Sequence, residues 1–333
     1  MNESTNLSET LSNGDGSQTL PPPIVSVVLG VYNGADEIQD SLLSLRSQTL
    51  REIEIIVVDD GSEDDAPGVL AAIAAEDPRV RVITQENAGL TAALVKGCAS
   101  ARAPLIARMD IGDRSLPLRL ERQCEYLHQH PEVVAVDCLV RRIGPHDEHL
   151  SVSGDGLSPA DVTDAFKKNG TGLVHPAAMF RRDVFERAGG YRREFVVAQD
   201  HDLWCRMAEI GLLGRVPELL FEYRVETKGI SATQQQKQSQ LSHIAREWVA
   251  AGEDKQPRRL ALLRQAQEVS EQPKITASEI SRRHGLAANA YLIGSQLLER
   301  RRKACRRYFR MAIRNRPLHL ATWAKYIASM QLG

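Results

Sequence analysis

Asp110 and Asp113, in the stretch Arg108-Met109-Asp110-Ile111-Gly112-Asp113, set two carboxylates three residues apart just after the apolar run Ala103 to Ala107. That run reads as a short buried strand, and open α/β sheets meet ligands just beyond the carboxyl ends of their strands. An acidic loop with a helix cap is the plain alternative. A second cluster, Asp59-Asp60-Gly61-Ser62, ends the apolar run Glu54 to Val58 and brings Asp59 and Asp60 to the same rim. Carboxylates there can accept hydrogen bonds from a base N–H or ribose hydroxyls, against the alternative of an Asx turn closed by Ser62. A third cluster is Gln199-Asp200-His201-Asp202. As a helix N-cap facing a cleft, Asp200 would serve as a rigidly held general base; a capping Asp with no other role is the alternative. His175 offers an imidazole, a group that more often packs than reacts, and Tyr223-Arg224 offers a cation for phosphates or a solvated arginine.

The elements that would position these groups follow from periodicity. Ile24 to Leu29, Glu54 to Val58, Val80 to Ile83 and Ala103 to Ala107 read as strands, each followed by a loop and a helical stripe, such as Ile38, Leu42 and Leu45 or the helix from Leu90 to Ala101. Four strand-helix alternations predict an α/β fold, a mostly parallel Rossmann-like sheet with helices on its faces. Further on, Leu118 to His130 predicts a helix, Val133 to Val136 a strand, Gly144 to Pro159 a polar loop, and Val174 to Phe180 a strand carrying His175 to the sheet edge. Residues 1–23 are too polar to offset ordering entropy and read as a disordered leader ending in Pro21-Pro22-Pro23. A first domain spans 24–231, and the shift to Gln-rich and Arg-rich helix marks 232–333 as a helical, basic region.

With 42 basic and 43 acidic side chains the net charge is −1, which points away from nucleic acid. Five scattered cysteines without a Cys-x-x-Cys spacing suit a reducing cytoplasm rather than a disulfide framework or zinc site. No apolar segment reaches the ~18 residues of a membrane span, and the N-terminus lacks the pattern of a signal peptide. Between Arg300 and Arg316 lie nine basic and no acidic residues, with Ala304, Tyr308, Met311 and Ala312 at helical spacing. Such a helix can lie on an anionic membrane surface, pack as a solvated helix on the catalytic domain, or form half of a tetratricopeptide-like pair.

The order of these motifs resembles the nucleotide-sugar glycosyltransferases of family 2, whose fold is called GT-A. The resemblance runs from Val25-Ser26-Val27-Val28-Leu29-Gly30-Val31-Tyr32-Asn33 through Val57 to Ser62, Asn87 to Leu90, Ile106 to Asp113, Val174-His175-Pro176, Ala188 to Tyr191 and Gln199 to Trp204, as far as Tyr223-Arg224. It implies that Asp60, with Asp59 beside it, binds the nucleobase, with Tyr32 and Asn33 at the base or ribose wall. His175 and Arg224 complete the implied donor site. Asp110 would contact the ribose and, with Asp113, hold Mn²⁺ or Mg²⁺ against the diphosphate. Asp200 matches the base of inverting members. The implied partners are a nucleotide-sugar donor, UDP-linked by preference, and a saccharide or lipid-linked saccharide acceptor. The setting would be bacterial surface polysaccharide or lipopolysaccharide synthesis, on the inner face of the membrane.

The chain also departs from the family pattern. Members read Met-Asp-Ala-Asp-Asp where this chain reads Met109-Asp110-Ile111-Gly112-Asp113, so a glycine stands at the position of the acid that most directly coordinates the metal. Glu226, after Tyr223-Arg224-Val225, is an oxygen ligand where a His is common. Gly112 keeps a different expectation in play, a nucleotide-binding pseudoenzyme that acts as a scaffold at the membrane surface.

Overall fold

The computed structural model describes residues 21–154, 157–170, 172–225, 234–252, 256–272 and 279–332. Residues 1–20 of the disordered leader expected over 1–23, and Glu226, lie outside the described residues.

Side-chain alternation builds the sheet. In β1 (Val25–Val31), Val25, Val27, Leu29 and Val31 enter one core while Val28 enters the other; in β2 (Ile53–Asp59), Ile53, Ile55 and Val57 oppose Ile56 and Val58. Strands apolar on both faces need cover on both, which helices on each side provide. Between these strands α1 (Ala35–Arg46) buries Ile38, Leu42 and Leu45, and α2 (Ala66–Glu76) buries Leu70 and Ile73. After β3 (Val80–Thr84) comes α3 (Leu90–Ala99). A Cβ on its Gly97 would fall 2.5 Å from Val28 Cγ1, so α3 reaches the sheet only because that residue is glycine. With β4 (Leu105–Arg108) the parallel half reads β3-β2-β1-β4.

The second half is mixed. It continues through β8 (Met179–Arg181), β6 (Val133–Ile143), β9 (Leu212–Arg224) and β5 (Arg114–Ser115), with β7 (His149–Ser153) paired to β6. Strand β8 runs antiparallel to β4 and β6, β6 and β9 run parallel, and β5 is antiparallel to β9. Helices α4 (Arg119–Gln129), α5 (Pro159–Asn169), α6 (Arg182–Arg187) and α7 (Gln199–Met207) complete this part.

Three sequence expectations change here. The segment from Val174 does not form an edge strand: His175–Ala177 is a 3₁₀ turn and only Met179–Arg181 is a strand, in the interior of the sheet. The polar stretch after Gly144 contains β7, whose Leu150 is buried against Ile293 and Leu297 from the C-terminal helices. Asp200 is not the N-cap of α7. That position is Ala198, at φ 59°, and Asp200 is the second helical residue.

The C-terminal helices fall into two sets. Helices α8 (Gln235–Ala250) and α9 (Gln256–Glu271) join the core on the α3 side through Leu241, Ile244, Leu262 and Ala266. Helices α10 (Glu279–Glu299), α11 (Cys305–Asn315) and α12 (Leu320–Ser329) pack together, with Ile293, Leu297, Tyr308 and Phe309 in a separate cluster that also takes Leu150. Cys305, Tyr308, Phe309 and Ala312 are the buried face of α11, whereas Met311 is exposed. Among the described residues no helix is long and apolar enough to cross a membrane.

Candidate active site

The loops after β1, β2 and β4 meet along one rim, because those strands are parallel and in register: Val31 pairs with Asp59 and Val28 with Arg108. Tyr32 is 48% exposed there. Asn33, at φ 51°, donates its N–H to Ser62 Oγ at 2.9 Å, and its side-chain oxygen accepts from Glu63 N at 2.8 Å. Asp59 accepts from Ser62 N at 3.0 Å, the Asx geometry weighed from the sequence. Asp60 is buried and accepts from Gln85 Nε2 at 2.7 Å, Ala88 N at 2.9 Å and Gly89 N at 2.8 Å. Asp60 therefore fixes the loop that leads into α3, while Tyr32 is the open side chain of this wall.

At the end of β4 the chemistry concentrates. Arg108, buried within the strand, donates to Met109 O and pairs with Asp110, whose side chain is 37% exposed. Gly112 takes φ 94°, a left-handed conformation that glycine adopts without a Cβ penalty. Ser41 in α1 braces the turn, accepting from Gly112 N at 2.9 Å and donating to Asp113 O at 3.0 Å. Asp113 is buried; one carboxyl oxygen accepts from Arg224 N at 2.8 Å and the other has no hydrogen-bond partner. Burial, together with the charge of Asp110, holds its carboxyl well above the usual range. Arg224 presents its guanidinium to the protein itself: Nε donates to Gly112 O at 3.1 Å, Nη1 to Gly144 O at 3.2 Å and Pro145 O at 3.3 Å, and Nη2 pairs with Asp147 at 2.8 Å.

Helix α7 brings the third acid. Asp200 remains partly exposed, and desolvation raises its pKa with a further push from the charge of Asp110, against the backbone N–H of His201 and the cation of Arg108. The charge of Asp110 thus lies near enough to act on Asp200. Two residues on, Asp202 is buried against Arg206 (Nη2–Oδ2 2.5 Å) with Arg192 at 3.5 Å, anchoring the helix from within. Burial and, after Asp113, the charge of Asp110 lift the Tyr223 phenol to about 12, so Tyr223 borders the same acidic cluster. His175 is buried, and its Nε2 meets Tyr191 Oη at 2.7 Å. Burial and then Arg108 push its pKa well below the ordinary value, so the imidazole is neutral.

The structure therefore brings Asp110, Asp113 and Asp200 together, and places Tyr32, Asn33, Asp59 and Asp60 along the adjoining rim. His175 sits behind the site, and Arg224 underpins the Gly112 turn. Sequence reasoning gave no role to Arg108, Ser41, Tyr191 or Asp202. Two signals were present, an arginine inside an otherwise apolar strand and a serine on the apolar stripe of α1.

The residues do not assemble a complete cation site. Among the described residues no group of three His, Cys, Asp or Glu side chains could hold a metal ion. Asp110 is already paired with Arg108, Asp113 is sequestered, and Gly112 contributes no side chain, whereas a hard divalent cation takes about six oxygens. A Cβ at Gly112 would meet nothing nearer than Arg224 Cδ at 4.0 Å. Gly112→Asp should therefore fit at a cost of about 1–2 kcal/mol for the left-handed backbone, and it adds a carboxylate beside Asp110. The expected outcome is that Mn²⁺ tightens nucleoside diphosphate binding more in the variant than in the wild type, read by calorimetric titration. An equal response in both would show that the position is not a ligand position.

Asp113 gives a pH prediction. A carboxyl whose pKa rises on folding favours the folded state fully below its unfolded value and loses that contribution as pH climbs through its folded value. Asp113→Asn, which keeps the acceptor for Arg224 N, should differ little from wild type near about pH 4 and gain stability relative to it as pH rises. Urea melts in chelator across that range measure the difference. A pH-independent gap would mean that folding does not shift the Asp113 pKa.

Comparison with known proteins agrees with the geometry. Residues 26–189 match the model of Glycosyl transferase family 2. The amylovoran biosynthesis glycosyltransferase AmsE of Erwinia amylovora is 31% identical over 203 residues, covering 60% of this chain and 75% of AmsE. The O-antigen biosynthesis glycosyltransferase WbnJ of Escherichia coli is 29% identical over 215 residues, covering 62% and 81%. Among solved structures, the mannosyltransferase PcManGT of Pyrobaculum calidifontis, in complex with GDP-Man and Mn²⁺, superposes with TM-score 0.54 at 18% identity over 92% of this chain and 88% of that one. S. aureus TarS 1–349 in complex with UDP does so with TM-score 0.55 at 12% identity, over 92% and 91%. These neighbours share the GT-A arrangement of a mixed sheet flanked by helices. The chain belongs to glycosyltransferase family 2, and it is a glycosyltransferase.

Proposed function

We propose that the protein transfers a sugar from a nucleotide-diphosphate donor to a hydroxyl of a saccharide or lipid-linked saccharide, with inversion at the anomeric carbon, in the building of a bacterial surface polysaccharide. The observation that carries this reading is Asp200, a partly exposed acid in the first turn of α7 whose pKa is raised by desolvation and by the nearby charge of Asp110. Its carboxylate accepts the acceptor's hydroxyl proton while that oxygen bonds to the anomeric carbon; the bond to the diphosphate oxygen breaks on the opposite face, and the electron pair leaves with the nucleoside diphosphate. Tyr32 and Asn33 line the base or ribose wall beside Asp59 and Asp60, which fix its loops, and Asp110 meets the ribose. His175 and Arg224 support this site from behind and beneath. The described acids do not form a closed site for Mn²⁺ or Mg²⁺. UDP is the preferred nucleotide of this reading; PcManGT with GDP-Man and TarS with UDP show that the shared fold accommodates either class. The reading sets the protein on the cytoplasmic face of the membrane, where the basic segment 300–316 meets the lipid surface.

A donor-hydrolysis screen over UDP-, GDP- and dTDP-sugars, with and without Mn²⁺, tests the reading. Release of nucleoside diphosphate from UDP-sugars is expected. Hydrolysis confined to another nucleotide class would correct the donor, and none with any donor would favour the scaffold role.

A further inference from the structure

Helix α12 is inside out. Its buried positions carry Thr322 and Ser329, whereas Leu320, Trp323, Ile327 and Met330 share its outer side, Leu320 at 81% and Ile327 at 58% exposure. Leu318, just before the helix, is 91% exposed. A helix that only packed on its neighbours would show the opposite pattern, with the apolar stripe inward. The cluster beneath does not use this stripe, since Ile293, Leu297, Tyr308 and Phe309 form it from α10 and α11. A contiguous apolar patch with a surrounding polar rim marks an interaction surface.

The charge around the patch selects the occupant. Residues 300–333 hold ten basic side chains, Arg300 to Lys325, and no acidic one. Arg314 and Arg316, next to the patch in sequence, are exposed. Some of the others serve the fold: Arg306 holds the carbonyls of Ser329 and Leu332, and Arg307 pairs with Glu148. A second copy seated on this face in an isologous dimer would set its own cationic segment against this one, with like charges opposed. An anionic bilayer satisfies both features, taking the apolar side chains at the headgroup boundary and the cations at the lipid phosphates.

We propose that the outer face of α12, flanked by Arg314 and Arg316, docks the protein on an anionic lipid surface. The inference rests on the peripheral-membrane part of the reading above and moves the apolar contact from the expected α11, whose Tyr308 and Ala312 are buried, to α12. Arg307 and Tyr308 in α11 both hold Glu148, in the same turn whose Gly144, Pro145 and Asp147 hold Arg224 beneath the Gly112 loop. The turn at 144–148 thus contacts both α11 and the residue beneath the Gly112 loop.

Co-sedimentation of the full chain with vesicles decides it. Phosphatidylcholine vesicles with about 30% phosphatidylglycerol should bind at least about tenfold more tightly than phosphatidylcholine alone, and the difference should shrink with added salt. Leu320→Glu/Ile327→Glu should weaken binding by about tenfold or more, with thermal unfolding and vesicle-free donor hydrolysis unchanged. Equal binding to both vesicles, no binding to either, or undiminished binding by the variant would overturn the proposal. A wild-type dimer that the substitutions dissociate, seen in sedimentation velocity, would give the face to a second copy instead. Because donor hydrolysis is measured without vesicles, its absence would count against the transferase reading and leave the docking result to stand alone.

Discussion

Asp200→Asn should lower kcat by about 10²–10⁴-fold while nucleoside diphosphate affinity changes little. The amide keeps the size of the carboxyl and can still accept from the His201 backbone N–H, yet it cannot take a proton from an acceptor hydroxyl. Folding supplies a second readout. Desolvation raises the Asp200 pKa, so its ionised form at neutral pH costs stability, and the asparagine variant should melt at or above the wild-type temperature there. A residue kept for structure would show the reverse, normal turnover with a lowered melting temperature. In the wild type, the acidic limb of the rate profile should lie above the range of an ordinary aspartate, because turnover is lost as pH falls through the raised value.

Asp202→Ala, two residues away, should behave oppositely. Asp202 is buried between Arg206 and Arg192, and its removal leaves those guanidiniums without their carboxylate. Breaking a buried pair from one side costs about 3–5 kcal/mol, a large part of the ~5–15 kcal/mol that holds a typical domain folded. The same network docks the C-terminal helices: Arg192 and Arg259 each lie 3.9 Å from the centroid of Trp248 in α8. The urea midpoint of the variant should therefore fall steeply. A shift of less than about 1 kcal/mol would show that Asp202 acts as an exposed ion pair does.

These two acids also show where the sequence was readable. The parallel half of the sheet follows from apolar runs bounded by turns, and β1 to β3 with α1 to α3 appear where periodicity placed them. In the mixed half the helix over Leu118 to His130 and the start of β6 were legible, but the strand order was not, because β8 has only three residues and its place between β4 and β6 depends on long-range pairing such as Phe180 with Ile106 and Ala135. Buried charge was hidden as well. Arg108 and Arg119 lie inside, Arg119 donating to Arg108 O at 2.7 Å, and Asp137 is buried against Arg215 at 2.7 Å; charged residues in a sequence read as surface. The acids of the rim were recognisable by type and position. What each does within the rim depended on contacts the chain makes only when folded, so that Asp60 is a brace for the loop before α3 and Asp202 an anchor for the helix that carries Asp200.

The claim at the centre is a single in-line displacement assisted by Asp200. Proton NMR of the product, taken early in the reaction with an active donor and acceptor, reads the configuration at the transferred anomeric carbon. The account predicts the opposite configuration to that of the donor, and the same configuration as the donor would contradict it.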